Sequence, residues 1–338
     1  MEAWLYERLP EKQVRCHLCS HHCIIAGGKR GNCQVRENRD GILETLVYGC
    51  LIAAGDDPIE KKPLFHMMPG SRSFSIATAG CNFTCRFCQN ADIAQMPSDR
   101  NGAITGDSIS PRQVVAAALD RQCASIAYTY TEPTVFFEFA CDTAELAHRQ
   151  GIKNIFVTNG FMSMATLEHV SPWLDAANVD LKAYSDDFYK KQCGACLEPV
   201  KATLTAMKRL AIWVEVTTLL IPGLNDDPEE LSNLAAFIAG ELGTDTPWHV
   251  SRFHPAYRLT DRDVTPAETL LAARRIGMDA GLRYVYTGNI PGQGGEDTVC
   301  PGCGRIVIAR RGFQIVRNRI REGRCTDCRT IIDGIGMQ

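Results

Sequence analysis

The chain has 338 residues, 45% hydrophobic and 22% charged, with a net charge of −3. That length and balance bury a large core, exclude a disordered polypeptide, and point to one main domain with appendages. Its 16 cysteines would suit a small secreted disulfide scaffold, but no apolar signal segment follows Met1-Glu2-Ala3-Trp4 and no run is long enough to span a bilayer, so a cytosolic, reducing compartment is expected.

In chain order, a Cys-rich segment over residues 1–50 comes first, with Cys16, Cys19, Cys23 and Cys33 spaced C-x2-C-x3-C-x9-C. Four thiolates suit a zinc knot, the first reading, or an auxiliary iron-sulfur cluster, the second. His17, His21 and His22 are alternative ligands, and spacing alone does not choose the metal.

Next stands Gly80-Cys81-Asn82-Phe83-Thr84-Cys85-Arg86-Phe87-Cys88-Gln89, a C-x3-C-x2-C loop. Four thiolates normally close a cubane 4Fe-4S cluster, so a loop offering Cys81, Cys85 and Cys88 leaves one iron open to a substrate or cofactor. Zinc would draw paired C-x2-C knuckles, which this loop lacks. The flanking Gly80, Asn82 and Gln89 also distinguish the loop from a run of buried core cysteines. Cys123 and Cys141 lie in apolar helical runs and read as core; Cys193 and Cys196 form an isolated C-x2-C with no assigned role.

From residue 70 to 290, strand and helix signals alternate. Strands are predicted at Phe74–Thr78, Ser125–Tyr130, Asn154–Thr158, Asn178–Lys182, Ile212–Leu220, His249–Phe253 and Tyr284–Tyr286. Ser110-Pro111-Arg112-Gln113 is a capping box that opens one helix; a second is predicted from Pro133 to Gln150, stopping at Gly151. Asp227-Pro228 and Thr265-Pro266 start two more. Repeated units of this kind imply an α/β fold with a parallel sheet, open or closed into a complete or partial barrel. Glu132, Asn159, Lys182, Thr217, His254 and Asn289 fall at or just past strand ends, where such folds gather active residues.

The cysteine loop, with aromatic Phe87 before its third cysteine, resembles that of the radical S-adenosylmethionine (SAM) enzymes. The resemblance implies a partial (β/α)6 TIM-type barrel and a 4Fe-4S cluster whose open iron is chelated by SAM; one electron then cleaves SAM to a 5′-deoxyadenosyl radical that abstracts hydrogen. Tyr130-Thr131-Glu132-Pro133 resembles the family's Gly-Gly-Glu-Pro motif, both glycines being replaced, and carries over Glu132 as the partner of the methionyl ammonium. Thr158-Asn159-Gly160 and Asp180-Leu181-Lys182 resemble segments of glycyl-radical activating enzymes that touch the cofactor, which implies roles for Asn159, Asp180 and Lys182. Ile221 in Leu220-Ile221-Pro222-Gly223 matches the adenine contact and His254 in Phe253-His254-Pro255 the ribose contact. Val157 stands where many activating enzymes carry an Asp for a cation, so no such cation is implied. With Arg15-Cys16-His17-Leu18-Cys19, Arg30-Gly31-Asn32-Cys33 and Gly288-Asn289-Ile290-Pro291-Gly292 included, nearly the whole chain is similar to the AmmeMemoRadiSam system radical SAM enzymes. That likeness implies an electron donor of flavodoxin or ferredoxin type and protein partners of that system.

The chain closes with Cys300-Pro301-Gly302-Cys303 and Cys325-Thr326-Asp327-Cys328, paired knuckles that predict a zinc ribbon over residues 298–332. From Thr298 on, eight arginines face three acids. Arg310, Arg311, Arg317, Arg319 and Arg321 form either a solvated ribbon surface or a dock for nucleic acid or an acidic protein. The expected function is a cytosolic radical SAM enzyme of unidentified substrate, an oxidoreductase or transferase in its chemistry. The alternatives are a glycyl-radical enzyme activase, a nucleic-acid modifying radical SAM enzyme, and a non-enzymatic iron-sulfur electron carrier.

Overall fold

The computed structural model describes residues 1–290 and 295–338, so Pro291-Gly292 of the last motif above lie outside the described residues. Its centre is a nine-stranded sheet. Seven strands run parallel in chain order: β1 (Arg72–Thr78), β2 (Ser125–Tyr128), β3 (Lys153–Thr158), β4 (Ala176–Asp180), β5 (Trp213–Leu220), β6 (Trp248–Arg252) and β7 (Val285–Gly288). Between them run α1 (Pro111–Asp120), α2 (Phe137–Arg149), α3 (Met164–Val170), α4 (Glu198–Arg209), α5 (Pro228–Phe237) and α6 (Ala267–Asp279). All four residues of β2 are buried, as expected of a parallel strand inside the sheet.

The start signals act as their chemistry dictates at α1 and α5. Ser110 Oγ accepts from Gln113 N at 3.4 Å while Ser110 N donates to Gln113 Oε1 at 2.8 Å, and Asp227 Oδ1 accepts from the amides of Glu229 and Glu230. Two expectations need correction. Pro133–Phe136 forms a 3-10 turn and the α-helix begins only at Phe137. Thr265 does not cap α6; its hydroxyl donates to Leu220 O at 2.6 Å and accepts from Phe253 N at 2.9 Å, so it joins the chain leaving β5 to the chain leaving β6. Sequence patterning also missed the strand Cys50–Pro58, which pairs antiparallel with β1 and carries Asp107–Ser108 on its other edge.

The two cysteine-bearing appendages sit at opposite ends of the parallel strands. The amino-terminal segment covers the carboxyl end, where Ser20 N donates to Phe161 O and Ser163 N and Thr166 Oγ1 both donate to Leu18 O. The carboxyl-terminal segment packs its own core of Val307, Ile308, Ile320 and Ile332 beneath the hairpin of Ile306–Arg311 and Gln314–Asn318. It docks on residues that precede β1, with Met68 N donating to Ile335 O at 2.7 Å and Ile335 N to His66 O at 2.8 Å. Arg310, expected with the ribbon's surface arginines, is instead buried. It donates to Phe65 O at 2.9 Å and Thr298 Oγ1 at 2.7 Å, lies over the Phe65 ring, and stands 3.7 Å from buried Glu60.

Candidate active site

The Cys81–Cys88 loop leaves the carboxyl end of β1 and is held by its backbone. Gly80 has φ +102°, and a Cβ there would stand 2.6 Å from Val35 Cγ1, so glycine is required both by conformation and by the amino-terminal segment pressed against it. Thr84 N donates to Cys193 O and Arg86 N to Gln192 O, both at 2.9 Å. Phe83 is buried against Phe161 and Tyr189, and Phe87 against Phe188. These contacts fix the loop through its backbone and its phenylalanines rather than its thiols, which leaves the thiols for a ligand.

The three thiols respond to one another. Burial, then the charge of Cys85, pushes Cys88 up to about 11. Burial, then Glu132, raises Cys81, whose sulfur accepts from Phe83 N at 3.4 Å. Cys85 moves the other way: the neighbouring Cys193 thiol and Lys182 outweigh its burial and lower it. Lowered pKa at a thiol favours the thiolate that a metal binds. Cys193, to which its isolated C-x2-C gave no role, is therefore a neighbour of the loop; its distance from Cys85 along the chain hid this.

Glu132, past β2, connects the loop to the rest of the site. Its Oε1 accepts from Thr134 N, Thr134 Oγ1 and Thr158 Oγ1 at 3.1, 2.6 and 2.7 Å, and Oε2 accepts only Asn159 N at 2.8 Å. Oε1 is crowded by three donors, whereas Oε2, with one, keeps lone-pair capacity for an external donor. Burial raises the Glu132 pKa, while these donors oppose it. Tyr130, at the place of a family glycine, takes φ +63° and is tethered through its hydroxyl to Asp57 with Lys62 over its ring, contacts that offset a conformation unfavourable to a side chain.

Asn159 Nδ2 donates to Asn82 Oδ1 at 2.7 Å and lies 3.9 Å from Cys81 Sγ. Cys81, Asn82, Asn159 and Glu132 are thus one connected group. At the end of β4, Asp180 pairs with Lys182 at 2.7 Å, and Lys182 Nζ lies 5.9 Å from the Phe87 ring centre. Burial pulls the Lys182 pKa down, but Asp180 with the Cys85 and Cys193 thiols outweighs it and holds the ammonium above its usual range. Ile221 is buried, its amide held at 2.7 Å by Asn225 Oδ1, while Asn225 Nδ2 donates to Lys182 O; Asn225 is a positioning residue the sequence did not announce. His254 stands exposed past β6 and, among the described residues, makes no side-chain hydrogen bond with the others.

A second centre lies at the far end of the molecule. Among the described residues, Cys300, Cys303, Cys325 and Cys328 are the group whose sulfurs all fall within 4.8 Å of one another, with Cys300 3.5 Å from Cys328 and Cys303 3.8 Å from Cys325. Such spacing suits four thiolates on a single ion.

A family model of the radical SAM superfamily matches residues 75–235, the span from β1 through α5 that contains the cysteine loop, Glu132, Asn159 and Lys182. Residues 75–235 form a radical SAM superfamily domain. The chain is 46% identical over 334 residues to Uncharacterized protein MJ0808 of Methanocaldococcus jannaschii, covering 98% of each chain. It is also 25% identical over 171 residues to the pyruvate formate-lyase-activating enzyme of Clostridium pasteurianum, covering 50% of this chain and 70% of that one. In fold it is similar to a radical SAM methyltransferase from Sphaerobacter thermophilus, with TM-score 0.51, 16% identity, and coverage of 65% and 66% of the two chains. A domain of that superfamily implies an enzyme that uses a 4Fe-4S cluster and SAM, and the polar group converging on Cys81 fits those cofactors. Among the described residues no helix is long and apolar enough to cross a membrane.

Proposed function

We propose that the protein cleaves SAM reductively and abstracts a hydrogen atom from an as yet unidentified substrate, with Cys81, Cys85 and Cys88 holding the catalytic 4Fe-4S cluster. When bound, cluster and SAM together supply a 5′-deoxyadenosyl radical. The observation that carries the reading is the chain of hydrogen bonds from Glu132 through Asn159 and Asn82 to the Cys81 loop. Glu132 Oε2 would receive the methionyl ammonium at its remaining acceptor site, with Asn159 N holding that oxygen in place. Lys182, neutralised in part by Asp180, backs the aromatic face of Phe87 and favours thiolate at Cys85. Ile221 would offer apolar surface to the adenine, and His254, exposed past β6, would contact the ribose. The seven parallel strands act as a partial barrel around this site, and the carboxyl-terminal four-cysteine group holds zinc in a ribbon.

Similarity to a pyruvate formate-lyase-activating enzyme supports a second reading, an activase that installs a glycyl radical on another protein. An electron donor of ferredoxin or flavodoxin type and partners of the AmmeMemoRadiSam system fit either reading. Modification of nucleic acid is less favoured, because the exposed ribbon arginines lie at the end of the sheet opposite the cysteine loop. A simple electron carrier has no use for the Glu132–Asn159–Asn82 chain. The test is anaerobic reconstitution, reduction, and assay for 5′-deoxyadenosine. Its formation supports the proposal, and an intact cluster without it returns the carrier reading.

A further inference from the structure

The amino-terminal cysteines differ from the carboxyl-terminal four in one geometric respect. Cys16, Cys19, Cys23 and Cys33 all line one small, partly open apolar cavity, together with Arg36 and Asn82. Yet, among the described residues, no three of them bring their sulfurs within 4.8 Å of one another, as Cys300, Cys303, Cys325 and Cys328 do. Thiolates sharing one tetrahedral ion at about 2.3 Å must crowd together; thiolates bound to different irons of a cluster stand farther apart. The molecule holds its own comparison, since Cys81, Cys85 and Cys88 likewise fall outside the 4.8 Å spacing. That comparison rests on the assignment of the catalytic cluster, whereas the spread of the four sulfurs around their cavity does not.

The cavity wall supplies a second, independent indication. Arg36 is 1% exposed and Asn82 3% exposed, and each carries a buried nitrogen, Arg36 Nε and Asn82 Nδ2, without a hydrogen-bond partner. The orientation of the Asn82 amide is set by Asn159 Nδ2, which donates to Asn82 Oδ1 at 2.7 Å and so leaves Asn82 Nδ2 as the unused donor. Arg36 also directs Nη1 to Cys16 Sγ at 3.9 Å, and its charge is met on the other side by Glu138. Buried unpaired donors are costly. Sulfurs of an iron-sulfur cluster accept such donors, and the arginine offsets the negative charge that four thiolates bring to the site. A lone zinc ion has no sulfide with which to meet them.

We propose that Cys16, Cys19, Cys23 and Cys33 bind a second, auxiliary iron-sulfur cluster of cubane type, next to the catalytic loop. Asn82 follows Cys81 in the chain and lines this cavity, so a single residue separates the two sites. Gly80 fixes the same junction from the other side, where a Cβ would meet Cys33 O at 3.2 Å as well as Val35.

The test is the metal and sulfide content of anaerobically reconstituted protein in which Cys81, Cys85 and Cys88 are all replaced by Ala. The proposal predicts that this variant retains roughly four irons and four sulfides per chain, with the electron paramagnetic resonance signal of a reduced cubane, and that adding Cys19→Ser and Cys33→Ser abolishes both. Zinc at the amino-terminal cysteines with no iron or sulfide would overturn it. Should the triple variant not fold, the parent protein decides: roughly eight irons with one zinc support the second cluster, and roughly four irons with two zincs refute it. Iron retained in the triple variant alongside a parent that forms no 5′-deoxyadenosine would sink the proposed reaction while leaving this site standing.

Discussion

Glu132 is both the cap of a short 3-10 turn and the proposed partner of the cofactor's ammonium, and the two roles respond differently to charge removal. Its folded pKa is raised, chiefly by burial, so the folded chain holds a proton at pH values where the unfolded chain has lost it. The ionised carboxylate therefore costs stability above its folded pKa, and that cost disappears as pH falls below the unfolded value near 4.5. Glu132→Gln should gain stability relative to the parent as pH rises from about 4.5 toward 7, set against the one accepted hydrogen bond that the amide NH2 forfeits, while SAM affinity falls about tenfold or more through loss of a charge-assisted bond. Thermal melts across pH with calorimetric binding check this; a less stable variant of unchanged affinity would leave Glu132 a cap only. A second residue-scale prediction concerns Cys193: Cys193→Ala removes the thiol beside Cys85 that lowers it and should shift the reduction potential of the proposed catalytic cluster at unchanged iron content. An unaltered potential in a spectroscopic redox titration would make Cys193 a core residue. The cysteine loop, Glu132 and Asn159 were legible because each sits in a short motif. Cys193 and Asn225 were not, because what defines them is a contact between segments distant in sequence.

Among the elements, the seven parallel strands were legible because buried strands read as apolar runs between good helix signals. Strand Cys50–Pro58 was hidden, since Gly55-Asp56-Asp57-Pro58 reads as a turn and only pairing with β1 makes it extended. Thr265 misled for a related reason, its hydroxyl being claimed by two backbone groups that lie far away in sequence. The carboxyl-terminal four-cysteine group was visible in its paired C-x2-C spacing, but not the inward turn of Arg310. Replacing Arg310 with Ala leaves Glu60 buried without its cation and should cost about 3–5 kcal/mol. Neutralising exposed Arg311, Arg317, Arg319 and Arg321 should leave the melting temperature almost unmoved. Equal melting of the Arg310→Ala variant and the parent would contradict the buried network.

At the scale of the whole molecule, one cysteine segment covers the carboxyl end of the sheet beside the active site and the other closes the amino end through His66, Asp333 and Ile335. This separation predicts that Cys303→Ser with Cys328→Ser loses the carboxyl-terminal metal and loosens the tail to proteolysis, yet leaves SAM cleavage largely intact. Cleavage lost together with that metal would show the two ends to be coupled. The opposite placement was not legible in sequence, because the chain passes through both ends before β1 begins and only long-range hydrogen bonds say which appendage meets which end. The central claim, that Cys81, Cys85 and Cys88 with Glu132 form a SAM-cleaving site, is tested most directly by 5′-deoxyadenosine production in anaerobically reconstituted, reduced protein. The account predicts production by the parent and none by Cys81→Ala, Cys85→Ala or Cys88→Ala variants that remain folded; parental levels from any one of the three would contradict it.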